Sequence, residues 1–236
     1  MEIKEVFNMD RSAIEAKSQN ILIPICLGNK FFTKSLEVTN NTRKYIKWAL
    51  DNTKEKVLIL VVDKIQHTNY LVRGSRATEL HSRKRVLEDG KKIEENIKDI
   101  LSKEFSVDER NRITLIRYEE YEKNDPHCQE VTHEIYREFK NNKEFSDGVL
   151  KAVKSSVKDR EFSEEEIWRL CDYVLDEFAL TYTGIEYKNS YYGLFIYPRT
   201  DSVLFFIEDI KKGENFTDLI KKLPERKIGV AILNEE

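Results

Sequence analysis

The run Val57-Leu58-Ile59-Leu60-Val61-Val62 is unbroken and apolar, with one charge at each end, Lys56 and Asp63. A short β-branched run of this kind reads as a strand buried on both faces, the usual situation in a parallel sheet. A second run, from Ile21 through Pro24 and Cys26 to Leu27, closes on the turn signal Gly28-Asn29. Phe31, Phe32 and Thr33 follow, and then a helical stretch over residues 36–50. This is the strand–turn–helix entry of an α/β domain. Residues 112–117, 193–197 and 227–233 read as three further strands. Helical segments fall between strands at 76–103, 125–141, 144–157, 163–182 and 200–212, with Ser163 and Glu166 in capping-box spacing. Alternation of this kind predicts a Rossmann-like parallel sheet with helices on both faces. No linker rich in Gly, Pro or Ser interrupts it, so residues 1–236 read as one domain.

Composition removes several classes of function. The 236 residues are 40 % hydrophobic, enough for one sizeable core. Lys and Arg number 40 against 43 Asp and Glu, for a net charge of −3, so the chain as a whole is not a basic nucleic-acid binder and any polyanion has to meet a local patch. Three cysteines (Cys26, Cys128, Cys171) and four histidines are too scattered for a disulfide framework or a metal site. The first twenty residues mix charges with single apolar residues, unlike a signal peptide. No apolar run approaches membrane-spanning length. The expectation is a cytoplasmic protein with no membrane partner, no metal and no cofactor. Neither a G-x-G-x-x-G segment nor a P-loop is present, so nothing points to ATP.

Four side chains carry chemistry at suggestive positions. A helix over residues 163–182 sets Tyr173 and Glu177 four apart, with a phenol and a carboxylate side by side on one face. Tyr197 and Pro198 end an apolar run, which delivers them to an edge of the sheet. Cys26 stands at the end of the first predicted strand, and in open parallel sheets ligands gather at the carboxyl ends of strands. Two phenols and a carboxylate around a cavity suit a site that holds an ammonium group and moves protons. Each also has an ordinary structural reading: Cys26 as a small buried hydrophobe, the tyrosines as half-buried packing, Glu177 as a solvated carboxylate.

Residues 76–103 show the clearest charge pattern. Val86, Gly90, Ile93, Ile97 and Ile100 form one apolar stripe. Lys84, Lys91 and Lys98 recur every seven on the opposite side, and Arg73, Arg76, Arg83, Arg85 and Lys92 thicken the cationic part. From Arg73 to Arg85 there are five Arg or Lys against one Glu. The pattern reads either as a solvated face or as a surface for phosphates.

Together these residues resemble the cyclodipeptide synthases, which make 2,5-diketopiperazines from two aminoacyl-tRNAs. That family carries a nucleophilic Ser in a segment like Gly-Ile-Ser-x-x-Asn followed by Phe-Ser, matched here by Pro24-Ile25-Cys26-Leu27-Gly28-Asn29 and Phe32-Thr33. Its Tyr-x-x-x-Glu helix motif is matched by Tyr173 to Glu177. Its later Tyr followed by His or Pro is matched by Tyr197-Pro198, which points to the Pro-bearing subgroup. The resemblance spans roughly residues 20–212. It implies a fold like the catalytic domain of class I tyrosyl- and tryptophanyl-tRNA synthetases, aminoacyl-tRNA as partner and no ATP. It implies Cys26 as nucleophile, Tyr173 and Glu177 holding the α-amino group, and Tyr197 relaying a proton. It further implies Gly28, Asn29 and Pro198 around the substrate, and Arg73, Arg76, Arg83, Lys84, Arg85, Lys91, Lys92 and Lys98 against tRNA. Two departures stand out. Cys26 replaces Ser and Pro24 replaces Gly, and a family pocket tyrosine would fall near Cys128, where none aligns. The first is chemically tolerable, because a thiol attacks esters and its thioester acylates amines. A tRNA-binding protein without catalysis and a Cys acyltransferase using another activated acyl donor are the alternatives.

Overall fold

A computed structural model describes residues 1–28, 36–74, 78–156, 161–198 and 228–234. The helix expected at 200–212, and with it the site candidates Asn29 and Arg76, lie outside the described residues. In chain order the elements are β1 (Glu2–Phe7), α1 (Arg11–Glu15), β2 (Ile21–Cys26), α2 (Leu36–Asn52) and β3 (Val57–Val62). A 3-10 turn (Lys64–Gln66), α3 (His67–Arg73), α4 (Glu79–Glu104), α5 (Val107–Asn111), β4 (Ile113–Arg117) and α6 (Tyr118–Asn124) come next. The chain continues through α7 (Pro126–Asn141), α8 (Lys143–Ser156), α9 (Glu164–Thr183), a hairpin of β5 (Ile185–Tyr187) and β6 (Ser190–Tyr192), then β7 (Leu194–Tyr197) and β8 (Gly229–Asn234).

The main sheet has the order β1-β8-β7-β2-β3-β4. All five expected strands are in it and run parallel. The sixth, β1, was not expected and pairs antiparallel with β8 at the edge. Its sequence Glu-Ile-Lys-Glu-Val-Phe puts three charged residues in solvent, as suits an edge that must not recruit other strands.

Side chains of β2 and β3 alternate between two cores. Ile21, Ile23, Ile25, Val57, Ile59 and Val61 pack with Tyr45, Ile46 and Ala49 of α2 and Val86, Ile97 and Ile100 of α4. Leu22, Cys26, Leu58, Leu60 and Val62 face the other way, toward Tyr118 and Tyr121 of α6, Cys128 of α7 and Leu180 of α9. A third cluster lies among the helices themselves, joining Val72, Val131, Ile135, Phe145, Val149 and Val153 to Leu170, Val174 and Phe178 of α9. The α9 helix thus belongs to two cores at once. Its start is fixed by the expected capping box: Ser163 accepts from the Glu166 N–H while Glu166 accepts from the Ser163 N–H.

The carboxyl ends of β3 and β4 are tied by one buried carboxylate. Asp63 is fully buried and caps the 3-10 turn, its Oδ1 accepting from the Lys64 N–H at 2.7 Å and the Glu119 N–H at 3.3 Å. Its Oδ2 accepts from Arg117 Nε at 2.7 Å, and Arg117 Nη2 donates on to the Leu87 carbonyl of α4 at 3.1 Å. Burial pushes the Asp63 pKa up while these donors pull it down. Gly90 of α4 lies against the same carboxylate, and a Cβ there would stand 2.6 Å from Asp63 Cβ. Gly90 is therefore part of the apolar stripe because only a residue without a side chain fits. Arg117→Leu should strand the buried charge and cost about 3–5 kcal/mol, read from urea unfolding. Adding Asp63→Asn to that variant should return part of the loss.

Candidate active site

The sheet opens where the strand order turns. From β2 the chain builds β3 and β4 on one side, and β7 and β8 on the other, so the switch point lies between β2 and β7. In such sheets the ligand crevice forms at that point, at the carboxyl ends. Pro24 helps to open it. Ile21 N–H donates to Lys56 O on the β3 side, so alternation turns the backbone of Leu22 and residue 24 toward β7. Proline has no N–H to offer there, and pairing between β2 and β7 covers only Ile21 with Leu194 and Leu22 with Phe195. On the other side β2 stays paired with β3 through Cys26 and Val62.

Cys26 is the last residue of β2 and 4 % exposed. Across the opening Tyr197, the last residue of β7, donates its hydroxyl to the Cys26 Sγ at 3.7 Å. β7 is an interior strand, so the edge that receives Tyr197 and Pro198 is the carboxyl end of the sheet. Tyr173 and Tyr197 both pack on the cluster that contains Cys26. Glu177, one turn further along α9 from Tyr173, is 8 % exposed, so it is a buried carboxylate and no longer a solvated one. Gly28 lies in the turn after β2, where a Cβ would meet the buried Gln66 amide oxygen at 3.1 Å. Cys26, Tyr173 and Tyr197 are therefore brought to one cluster, with Glu177 one turn beyond Tyr173, Gly28 two residues after Cys26 and Pro198 directly after Tyr197.

Phenols stand beside Cys128 after all, supplied by the preceding helix. Tyr118 of α6 is almost fully buried and meets the Cys128 thiol with its hydroxyl. Tyr121 donates to Asp125 Oδ2, and Asp125 Oδ1 accepts the Cys128 N–H at 3.3 Å, capping the first turn of α7. Matching along the chain misses them because they precede the α7 helix instead of lying in it. Their signal was the aromatic pair Tyr118 and Tyr121 right after a strand. Among the described residues no group of His, Cys, Asp or Glu is arranged to hold a metal ion, and no helix is long and apolar enough to cross a membrane.

By sequence, neither a protein-family model nor a curated protein matches the chain. By structure the likeness is extensive. A CDPS from Staphylococcus haemolyticus superposes with a TM-score of 0.72 at 20 % identity, over 98 % of this chain and 99 % of that one. A cyclodipeptide synthase from Bacillus thermoamylovorans gives 0.72 at 18 %, covering 95 % and 92 %. A Mycobacterium tuberculosis protein whose structure relates cyclodipeptide synthetases to type I tRNA synthetases gives 0.70 at 14 %, covering 94 % and 87 %. The chain has the fold of the cyclodipeptide synthases.

In this chain the long helix of that fold is more evenly charged than its first turns suggest. α4 carries seven cations and seven acids. Arg83 pairs with Glu79 at 2.7 Å, Lys84 with Glu88 at 3.8 Å, Arg85 with Asp89 at 3.9 Å and Lys91 with Glu95 at 4.0 Å. Lys92 pairs with Asp89 at 3.3 Å, Lys98 with Glu94, and Lys103 with Asp99 at 2.8 Å. Arg73 belongs to the preceding helix, α3, where its guanidinium stacks 5.6 Å over the Phe162 ring. The cationic residues thus lie on two helices, and those of α4 each face a carboxylate.

The three cysteines are all buried thiols. Burial, reinforced by Asp125, pushes Cys128 up to about 11, and burial with Asp172 pushes Cys171 up to about 12. Thiolate is the nucleophile, so both should be inert near neutrality. Iodoacetamide at pH 8 should label Cys26 first, as peptide mass mapping would show. Earlier labelling of Cys128 or Cys171 would contradict the assignment of Cys26 as the reactive thiol.

Proposed function

We propose that the protein joins two aminoacyl groups, delivered by aminoacyl-tRNAs, into a cyclic dipeptide through an acyl-enzyme on Cys26. The observation that carries this reading is the Tyr197 hydroxyl on the Cys26 sulfur, at the carboxyl-end crevice of a cyclodipeptide synthase fold. Cys26 Sγ attacks the ester carbonyl of the first aminoacyl-tRNA. The C–O bond to the tRNA breaks, and the tRNA hydroxyl leaves with the thiol proton, which Tyr197 is positioned to pass. The ammonium of the bound aminoacyl group rests against Tyr173 and Glu177. Glu177 takes one proton from it and the freed amine attacks the second aminoacyl ester; the C–O bond to the second tRNA breaks, the tRNA hydroxyl leaves with the proton the nitrogen sheds, and a dipeptide remains on Cys26. Attack by the newly added amine on the thioester closes the ring and expels the Cys26 thiolate, which Tyr197 reprotonates. Backbone N–H groups after Cys26 suit the tetrahedral oxyanion. Tyr197-Pro198 is in keeping with the Pro-bearing subgroup.

Incubation with mixed aminoacyl-tRNAs should yield diketopiperazines by mass spectrometry. Cys26→Ala should make none. Cys26→Ser should retain some product, since an alcohol keeps the surrounding donors and amine-holding groups. Full activity in the Ala variant would sink the covalent route.

The paired charges of α4 favour a second reading, in which the acyl donor is not tRNA and the helix is a solvated face. Replacing Arg83, Lys84 and Arg85 by Ala separates the two. Under the tRNA reading, the log–log salt slope of tRNA binding should flatten by about 0.7–0.9 for each phosphate no longer neutralised. Circular dichroism should stay unchanged. An unaltered slope, with turnover of small aminoacyl thioesters, would favour the other donor.

A further inference from the structure

The reaction proposed above deprotonates two amines in succession, and Glu177 accounts for the first. The second is the ammonium of the residue added last, which must lose a proton before it can close the ring. Tyr173, Asp176, Glu177 and Leu180 share one stripe of α9. Tyr173 and Leu180, at the two ends of that stripe, pack on the cluster that contains Cys26. The Asp176 carboxyl between them is near enough to the Tyr118 hydroxyl to oppose its ionisation, and Tyr118 lies in the same cluster. From α7, Tyr136 donates to Asp176 Oδ1 at 3.2 Å and to the Asp172 carbonyl one turn back at 3.3 Å, which fixes the carboxyl in place. Among the described residues, Asp176 Oδ2 accepts no hydrogen bond.

Resting on the reading above, we propose that Asp176 is the base for ring closure. The ammonium of the second residue gives a proton to Asp176 Oδ2. The free amine attacks the thioester carbonyl, the new C–N bond forms as the C–S bond breaks, and the proton the nitrogen sheds passes through Tyr197 to the Cys26 thiolate. The proton on Asp176 then returns to solvent, which its partial exposure permits. The groups facing Asp176 are Tyr136 from α7, Asp172 on its own helix, Glu122 and Tyr118 from α6, and Lys64 from the 3-10 turn. Burial, then Glu122 and Asp172, push its pKa up to about 7 against the pull of Tyr136 and Lys64. A base poised near neutrality accepts a proton readily and releases it again.

Asp176→Asn keeps an acceptor for Tyr136 and removes the base. Mixed with aminoacyl-tRNAs, this variant should accumulate a dipeptidyl adduct on Cys26, seen by intact-protein mass spectrometry. Cyclic product should fall about a hundred-fold or more. Glu177→Gln should instead stop at the single aminoacyl adduct. In single-turnover experiments, ring closure by the unaltered protein should speed up as pH rises through about 7, where Asp176 ionises, and the Asn variant should lose that inflection. An Asn variant that releases product at the normal rate would overturn the inference. So would one halted before the dipeptidyl stage, which would place Asp176 earlier in the sequence. An unaltered protein that never acylates Cys26 would overturn the reading of the preceding section, and this one with it.

Discussion

A carboxylate removed from water has to be met by donors, and the carboxyl end of this sheet is arranged around that requirement. Asp63 follows directly on β3, whose last residue pairs with Cys26. Arg117, the Lys64 and Glu119 N–H groups and the missing side chain of Gly90 together enclose it. Leaving such a charge unpaired costs several kcal/mol, so β3, β4, α4 and the start of α6 have little freedom to shift against one another. The crevice beside them therefore has one rigid wall.

The opposite wall is made by absence. Pro24 withholds a hydrogen bond toward β7, and the two strands part company just before the residues that carry chemistry. A family glycine at this position would keep its donor, so the substitution that looked like a departure also fits the geometry. Across the gap α9 presents Tyr173, Asp176 and Glu177 while anchoring its other side in the helical cluster of Phe145, Val149 and Val174. Because one helix serves both cores, the position of the face that carries Tyr173 and Glu177 depends on packing some distance from it.

Much of this was legible in the chain. Long apolar runs gave β2, β3 and β4 nearly to the residue, and the stripe of Val86, Gly90, Ile97 and Ile100 gave α4. The capping box at Ser163 is legible because both partners are local. What escaped was either weakly apolar or non-local. β1 is an exposed edge strand whose alternation is blurred by charges. The β5–β6 hairpin turns on Lys188 and Asn189, both at positive φ, a primed turn without the glycine that usually announces one. Arg73 looked continuous with the cations of α4, although it closes a separate helix. Asp176 carries no signal in the sequence, because its surroundings, Tyr136, Glu122 and Lys64, come from three other elements and no spacing along the chain joins them.

The pairing along α4 bears on timing. Each of its seven cations already faces an acid of the same helix. A helix of this kind grips a polyanion only by exchanging partners, and it lets go by the same route at little cost. In the proposed cycle, which seats one tRNA, discharges it and admits another, fast release is worth more than tight binding. A surface with uncompensated charge would hold the spent carrier and become the slow step.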